Sequence, residues 1–296
     1  MTTPLKIATR GSELALWQAM HVAAALPVPS EITVVETEGD RVQDRPLAEI
    51  GGQGVFAKEI QHHVLHHQAT LAVHSAKDLP SVTVSGLQIG AWLPRADPRD
   101  MLVGSTLGDL PNGARVGTSS IRRAAQLLAL RPDVEIVPLR GNIRTRLEKG
   151  QRLDAIFVAA AALQRLDIWP EITEILSPEL MLPQVGQGAI AIECRVDDDA
   201  TLEMLASVND SATEKAVLAE RSLLRVFGTG CSLPIGGLAE LSGHGLMLRA
   251  MVAAHDGTRI LRGSASGDEP TQLGSALARS LVERGALALL ADSDGE

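Results

Sequence analysis

Along the first two thirds of the chain, short uninterrupted apolar runs alternate with longer stretches in which apolar residues recur every third or fourth position. That texture predicts strands alternating with helices. LKIATR (5–10) reads as a strand, followed by a helix over SELALWQAMHVAAAL with Ser12 as its N-cap. EITVVET (31–37), TLAVHS (70–75), LQIGAWL (87–93), MLVGS (101–105) and GAIAIECRV (188–196) read as further strands, and FAKEIQHHVLHHQ as a helix. ARVGTSS leads into the helix IRRAAQLLALR, and VEIVPLR into NIRTRLEKG. DAIFVAAAA (154–162) has the composition of a buried parallel strand. A long helix is expected over roughly 211–226. Beyond it the texture changes: GLAEL, LMLRAMVAA and RILRGSAS alternate as antiparallel strands between Gly, His and Asp turns, and a last helix covers 271–291. The expectation is an α/β protein with ligand sites at strand ends, plus a separate α+β domain from about residue 211.

Composition narrows this. Apolar residues make up 45% of the 296, but aromatics only 2% with no tyrosine, so the cores must rest on Leu, Val, Ile and Ala. The longest apolar run, AIFVAAAAL (155–163), is too short to span a bilayer. The N-terminal MTTPLKIATRGS has no signal-peptide pattern, and two cysteines make no disulfide framework, so a cytoplasmic protein is expected. A net charge of −9 and the scarcity of aromatic rings disfavour a nucleic-acid binder. The charge is uneven, however: 115–152 holds nine basic against three acidic residues. An arginine-rich stretch in an acidic chain points to a small polyanion.

The chemistry-bearing stretches cluster at expected strand ends. AVHSAKDLP (72–80) places Ser75, Lys77 and Asp78 just past a buried strand, a pairing that suits acid–base work but also fits an exposed turn with an ordinary ion pair. VGTSSIRRAAQ (116–126) offers Thr118, Ser119 and Ser120 with backbone N–H groups at a helix start. Arg122 and Arg123 in that first turn oppose the helix dipole, a conflict that a bound anion would resolve. LRGNIRTRLEKG (139–150) repeats the arrangement with Arg140, Arg144 and Arg146; the last two, two residues apart, point to different faces. ATRGS supplies a third such turn with Arg10 and Ser12. QHHVLHHQ (61–68) carries i,i+4 histidine pairs, but no Cys or carboxylate stands at zinc spacing, so no metal is expected. GGQG (51–54) follows the polar TEGDRVQDRPLAEI, whose length suggests a lid. Cys194 sits in an apolar strand as a small hydrophobe, whereas Cys231, in FGTGCSLPIG (227–236), is set on a Gly/Pro loop able to present a thiolate or an attachment point.

Taken together, IATRGSELALWQA, the GDxxxDxPLxxIGGxG pattern, AVHSxKDLP, DPRD, VGTSSIRR, LRGNIRTRLEKG, LPQVGQGAIAIE and GCSLPIGG, in order along the whole chain, resemble the hydroxymethylbilane synthase (porphobilinogen deaminase) family. The resemblance implies two lobes like those of type II periplasmic binding proteins, joined by hinge segments, and a small α+β C-terminal domain: residues 1–93 with 189–210, then 94–188, then 211–296. It implies a transferase of tetrapyrrole biosynthesis (haem, chlorophyll, cobalamin) that deaminates four porphobilinogens and joins them head to tail into hydroxymethylbilane. The primer would be a dipyrromethane cofactor, thioether-linked to Cys231. Asp78 would be catalytic. Cofactor contacts would come from Ser75, Lys77, Thr118, Ser119, Ser120, Arg122, Arg123 and Arg146, and substrate contacts from Arg10, Ser12, Gln18, Lys58, Arg140, Arg146, Arg165 and Gln187. The resemblance also implies a cytoplasmic monomer whose product passes to a uroporphyrinogen III synthase, with no nucleic-acid or membrane partner. Three positions depart from the family pattern: Gln53 for a lysine, Ala76 for a larger apolar residue, and Thr229 for a glycine. The competing reading is a non-catalytic, two-lobed small-anion-binding protein; the presence of both Asp78 and Cys231 disfavours it.

Overall fold

The computed structural model describes residues 4–41, 54–228, 233–243 and 245–291. Its contacts divide the chain into two compact units. One comprises the residues up to Ala96 together with Ala189–Lys215; the other holds Asp97–Gly188, Ala216–Gly228 and the C-terminal remainder.

The first unit begins with β1 (Leu5–Arg10), α1 (Glu13–Ala25), β2 (Ser30–Val35), α2 (Glu38–Arg41), α3 (Lys58–Leu65), β3 (Leu71–Ser75) and β4 (Leu87–Trp92). Ser12 caps α1 by accepting from the Ala15 amide at 3.3 Å. Ile7, Ala8 and Thr9 are all fully buried, so β1 is covered on both faces, as parallel strands between helices are. Ile7, Leu71 and Val73 pack with α1 residues Ala19 and Val22 on one side, and Ala8 and Ala72 with α3 residues Ile60 and Val64 on the other.

The second unit starts with β5 (Asp100–Val103), β6 (Arg115–Gly117), α4 (Ile121–Leu130), β7 (Glu135–Val137), α5 (Ile143–Gly150), β8 (Ala155–Ala159), α6 (Ala160–Arg165) and β9 (Thr173–Ile175). The chain then returns to the first unit as β10 (Ile190–Arg195) and α7 (Asp199–Ala206), and continues through α8 (Ser211–Val226). The first sheet has the order β2-β1-β3-β10-β4 and the second β7-β6-β8-β5-β9. In each, three strands run parallel, and a fourth, delivered by the chain as it crosses between units, lies antiparallel beside the third. This repeated order gives the expected pair of α/β lobes.

The C-terminal part is the antiparallel sheet β11 (Ile235–Ser242), β12 (Gly245–Ala253) and β13 (Ile260–Gly267), with α9 (Pro270–Glu283) and α10 (Ala286–Ala291). Leu248, Ala250 and Val252 pack with Leu277 and Leu281 of α9 and Leu223 of α8. Gly274 lets α9 approach α8 closely, since a Cβ there would stand 2.1 Å from the Ala219 carbonyl oxygen.

Two of the differences from the sequence expectation concern where an element ends. The run 154–162 stops being a strand at Ala159 and becomes α6. Alanine is the strongest helix former, and composition alone does not mark where the ladder ends. The expected helix 271–291 breaks at Gly285, whose φ of 93° ends α9. β9 and α7 were not foreseen; β9, three residues long, offers no periodicity to read.

One buried carboxylate ties three segments of the second unit together. Glu220 of α8 is fully buried; its Oε2 accepts from the Gly186 amide at 2.7 Å and its Oε1 from the Ala239 amide of β11 at 2.8 Å. Glu220→Leu would strand both donors at roughly 1–3 kcal/mol each. Urea unfolding is expected to show the midpoint falling accordingly; an unchanged midpoint would contradict this role.

Candidate functional site

In the first unit the expected residues gather at the C-terminal ends of β1 and β3. Arg10 ends β1, and its guanidinium carbon lies 4.0 Å from the centroid of the Phe56 ring, a cation–π contact. Phe56 was not singled out from sequence; the available signal was an aromatic beside GGQG in a chain with only three phenylalanines. Ser12 is engaged as the α1 cap. Gln18 is buried, and its Nε2 donates to Ser75 Oγ at 2.9 Å, so it braces the end of β3. Lys77 and Asp78 follow on a single 3₁₀ turn (Ala76–Asp78), both half-buried. The turn is tied to the sheet where the Ala76 amide donates to the Ala189 carbonyl at 3.0 Å. Lys58 is exposed at the start of α3.

Beneath that turn lies a second feature that sequence reading missed. His74 and Glu193 are buried, with His74 Nε2 3.3 Å from Glu193 Oε2, and Gln61 Nε2 donates to both carboxylate oxygens at 3.1 and 3.0 Å. The three sit 132 or fewer positions apart on different elements, so no local motif announces them.

In the second unit the two strand-to-helix turns are capped as their composition suggests. Ser120 accepts from the Arg123 amide at 3.5 Å and Asn142 from the Thr145 amide at 2.9 Å. Thr118 Oγ1 accepts from the Ser120 amide at 3.1 Å, and Ser119 Oγ both accepts from the Leu139 amide and donates to the Leu139 carbonyl. Arg146 is half-buried, with Nε donating to the Gly141 carbonyl at 2.8 Å, whereas Arg144 is exposed: the two do face different ways. Arg165 Nη2 donates to the Gly188 carbonyl at 2.6 Å; burial lowers its pKa to about 10, which leaves it charged at neutral pH.

Arg122 and Arg123 were expected to await an external anion, and here the structure adds something the sequence did not disclose. Both are buried, and both ion-pair at 2.7 Å with Asp100, the last residue of DPRD, on opposite oxygens. The chain itself supplies an anion at the start of α4. Gln187 Nε2 donates to the same carboxylate at 2.8 Å and to the Pro98 carbonyl at 2.7 Å. Burial alone would raise the Asp100 pKa, but the charges of Arg122 and then Arg123, with hydrogen bonds from Arg122 and Gln187, hold it well below the usual carboxylate range. A depressed folded-state pKa gives stability that is fully present above the unfolded value near 3.9 and drains away as the pH falls from there through the folded value. Asp100→Asn is therefore expected to lose about 3–5 kcal/mol at neutral pH, with the gap to wild type closing only below about pH 4. Urea unfolding across pH 7 to 3 measures this; a gap that stayed constant to the acid end would contradict it.

The donor set fits a polycarboxylate. Arg122 Nε and Arg140 Nη1 are buried N–H groups with no acceptor among the described residues, which suits a ligand that brings its own oxygens. Among the described residues no group of three or more His, Cys, Asp and Glu could hold a metal, and His62 and His66 instead lie ring against ring at 3.9 Å. The stretch 42–53, including Gln53 and most of the expected lid, and the loop 229–232, including Thr229 and Cys231, lie outside the described residues. Cys194 is fully buried in the first core, and burial, aided by the Asp198 charge, pushes its thiol up to about 11. It is no thiolate nucleophile at neutral pH.

Each α/β lobe carries arginine at a strand-to-helix turn, and the first adds a Lys–Asp pair at a strand end, a set of groups suited to a small polyanion. Two family models match the chain: "Porphobilinogen deaminase, dipyromethane cofactor binding domain" over residues 5–203 and "Porphobilinogen deaminase, C-terminal domain" over residues 214–283. The chain belongs to the porphobilinogen deaminase family. A porphobilinogen deaminase of Roseiflexus sp. (strain RS-1) is 49% identical, covering 98% of this chain and all of that one. That of Halalkalibacterium halodurans is 46% identical, over 96% of this chain and 95% of the relative. A solved putative methionine-binding lipoprotein from Bacillus subtilis matches with TM-score 0.42 at 11% identity, over 71% of this chain and 92% of that one, too distant to bear on fold or ligand.

Proposed function

We propose that this chain deaminates porphobilinogen and joins four units head to tail into hydroxymethylbilane, with Asp78 as the catalytic carboxylate. The observation that carries the assignment is the placement of Lys77 and Asp78 together on the tied turn directly after β3, in a chain that the family model matches over residues 5–203. Each condensation forms one carbon–carbon bond between pyrroles and releases one ammonia, and one water supplies the hydroxyl of the hydroxymethylbilane that is finally released. Asp78 delivers a proton to the departing amine, stabilises the cationic deaminated pyrrole by facing its N–H, and accepts the proton lost from the new pyrrole–pyrrole link. Arg10, Arg140, Arg146 and Arg165, with Lys58 and Lys77, bind the acetate and propionate groups as charge-assisted partners. The polar groups Ser12, Gln18, Ser75, Thr118, Ser119 and Ser120 order the turns that carry them.

A dipyrromethane cofactor would be held through its carboxylates by Arg122, Arg123 and Arg146 and tethered by a thioether to Cys231. When bound, it would supply a free pyrrole end for elongation. We also propose the partition 1–93 with 189–210, 94–188 and 211–296; work in the cytoplasm as a monomer; and delivery of product to a uroporphyrinogen III synthase. A net charge of −9 opposes nucleic-acid binding, and no described helix is long and apolar enough to cross a membrane. Purified protein given porphobilinogen is expected to release one ammonia per substrate consumed. Binding of porphobilinogen without ammonia release would instead favour the non-catalytic anion binder.

A further inference from the structure

Asp100 is wholly buried at the start of β5, and its two oxygens are divided between two guanidiniums. Oδ1 accepts from Arg123 Nε at 3.0 Å, from Arg123 Nη2 at 2.7 Å and from Gln187 Nε2 at 2.8 Å. Oδ2 lies 2.7 Å from Arg122 Nη1. The far ends of both arginines are fixed by backbone: Arg122 Nη1 also donates to the Leu182 carbonyl at 2.6 Å, and Arg123 Nη1 to the Phe157 carbonyl at 3.2 Å. Gln187 is fixed in turn by the Pro98 carbonyl, and its neighbour Gly186 by Glu220 of α8. A continuous polar chain therefore runs from Glu220 through the 186–187 turn and Asp100 to the arginine pair.

Among the described residues two guanidiniums share one carboxylate, which leaves one positive charge over, and Arg122 Nε has no acceptor. We propose that Asp100 is a positioning residue for the reaction: a resident carboxylate that holds Arg122 and Arg123 in one orientation, with a single charge left over for a carboxylate of the dipyrromethane. Gln187 acts through it by fixing Asp100 rather than by touching substrate. Without Asp100, two like charges in contact inside a low-dielectric interior repel each other and abandon the shared geometry. A receptor that must be reassembled at each encounter loses the advantage of being preorganised. The inference rests on the reading that this arginine pair receives cofactor carboxylates.

Wild type, Asp100→Asn and Gln187→Met are compared by intact mass, thermal melting and steady-state kinetics with porphobilinogen. In Asp100→Asn the fraction of chains carrying cofactor mass is expected to fall about tenfold or more. In the chains still loaded, kcat falls by a similar factor while KM stays within about threefold of wild type. Gln187→Met moves loading and kcat in the same direction, by about threefold. A folded Asp100→Asn protein that loads normally with unchanged kcat, whatever its melting temperature, overturns the proposal, as does a rise in KM alone. If Asp100→Asn does not fold, Gln187→Met decides by the same criteria. Wild-type protein lacking the cofactor mass sinks the underlying reading; loaded, active wild type beside unaffected variants sinks only this inference.

Discussion

Asp78→Asn protein is expected to fold and to turn over porphobilinogen roughly 10²–10⁴-fold more slowly than wild type, the range that positioned acid–base groups contribute. Among the described residues the turn that carries Asp78 is held by its backbone, through the Ala76 amide on the Ala189 carbonyl and the Leu79 amide on the Ala76 carbonyl. Asparagine keeps the side chain's shape while removing both its charge and its capacity to exchange a proton at neutral pH. The loss should therefore fall on kcat, with KM within about threefold and the melting temperature nearly unmoved. Lys77 would still attract substrate carboxylates, which is why binding survives. Near-normal turnover by a folded Asp78→Asn protein would remove Asp78 from the mechanism.

The second large effect concerns the two cysteines. Cys231→Ala is expected to abolish turnover, because a chain without a tether has no fixed pyrrole end to extend. Cys194→Ala is the matched control: it removes a buried sulfur from the first core and costs about 1 kcal/mol of stability while leaving turnover intact. The asymmetry follows from chemistry. A thiol pushed up to about 11 and fully buried offers no thiolate for priming, and the chain's other cysteine is Cys231. Equal losses of activity in the two variants would mean that the effect is structural and not that of an attachment point.

Much of the architecture was legible because it is written in local signals. Ser12 before an apolar period, the buried texture of LKIATR, and the Gly-punctuated alternation after residue 233 each specify an element without help from distant residues. The different faces of Arg144 and Arg146 followed from helix geometry alone. What escaped was what long-range pairing decides. The end of β8 at Ala159 depends on where β5 stops pairing with it, not on the alanines themselves. The misfit of two arginines at the start of a helix was visible, but the nearest anion was not. Asp100 lies 23 positions before Arg123 and reaches it only because β5 is inserted beside β8. A sequence shows that a charge needs a partner; it takes the sheet order to show which one the chain provides. The same holds for His74, Glu193 and Gln61, brought together by the β3–β10 pairing and by α3 packed upon it.

The central claim is that this chain is a deaminase working on a covalently tethered primer, and the intact mass of the purified protein tests it most directly. Wild type and Cys194→Ala are each expected to exceed the mass of their polypeptide by two deaminated porphobilinogen units, and Cys231→Ser to show the polypeptide mass alone. Wild-type protein at the bare polypeptide mass, or an excess that survives in Cys231→Ser, would contradict the account.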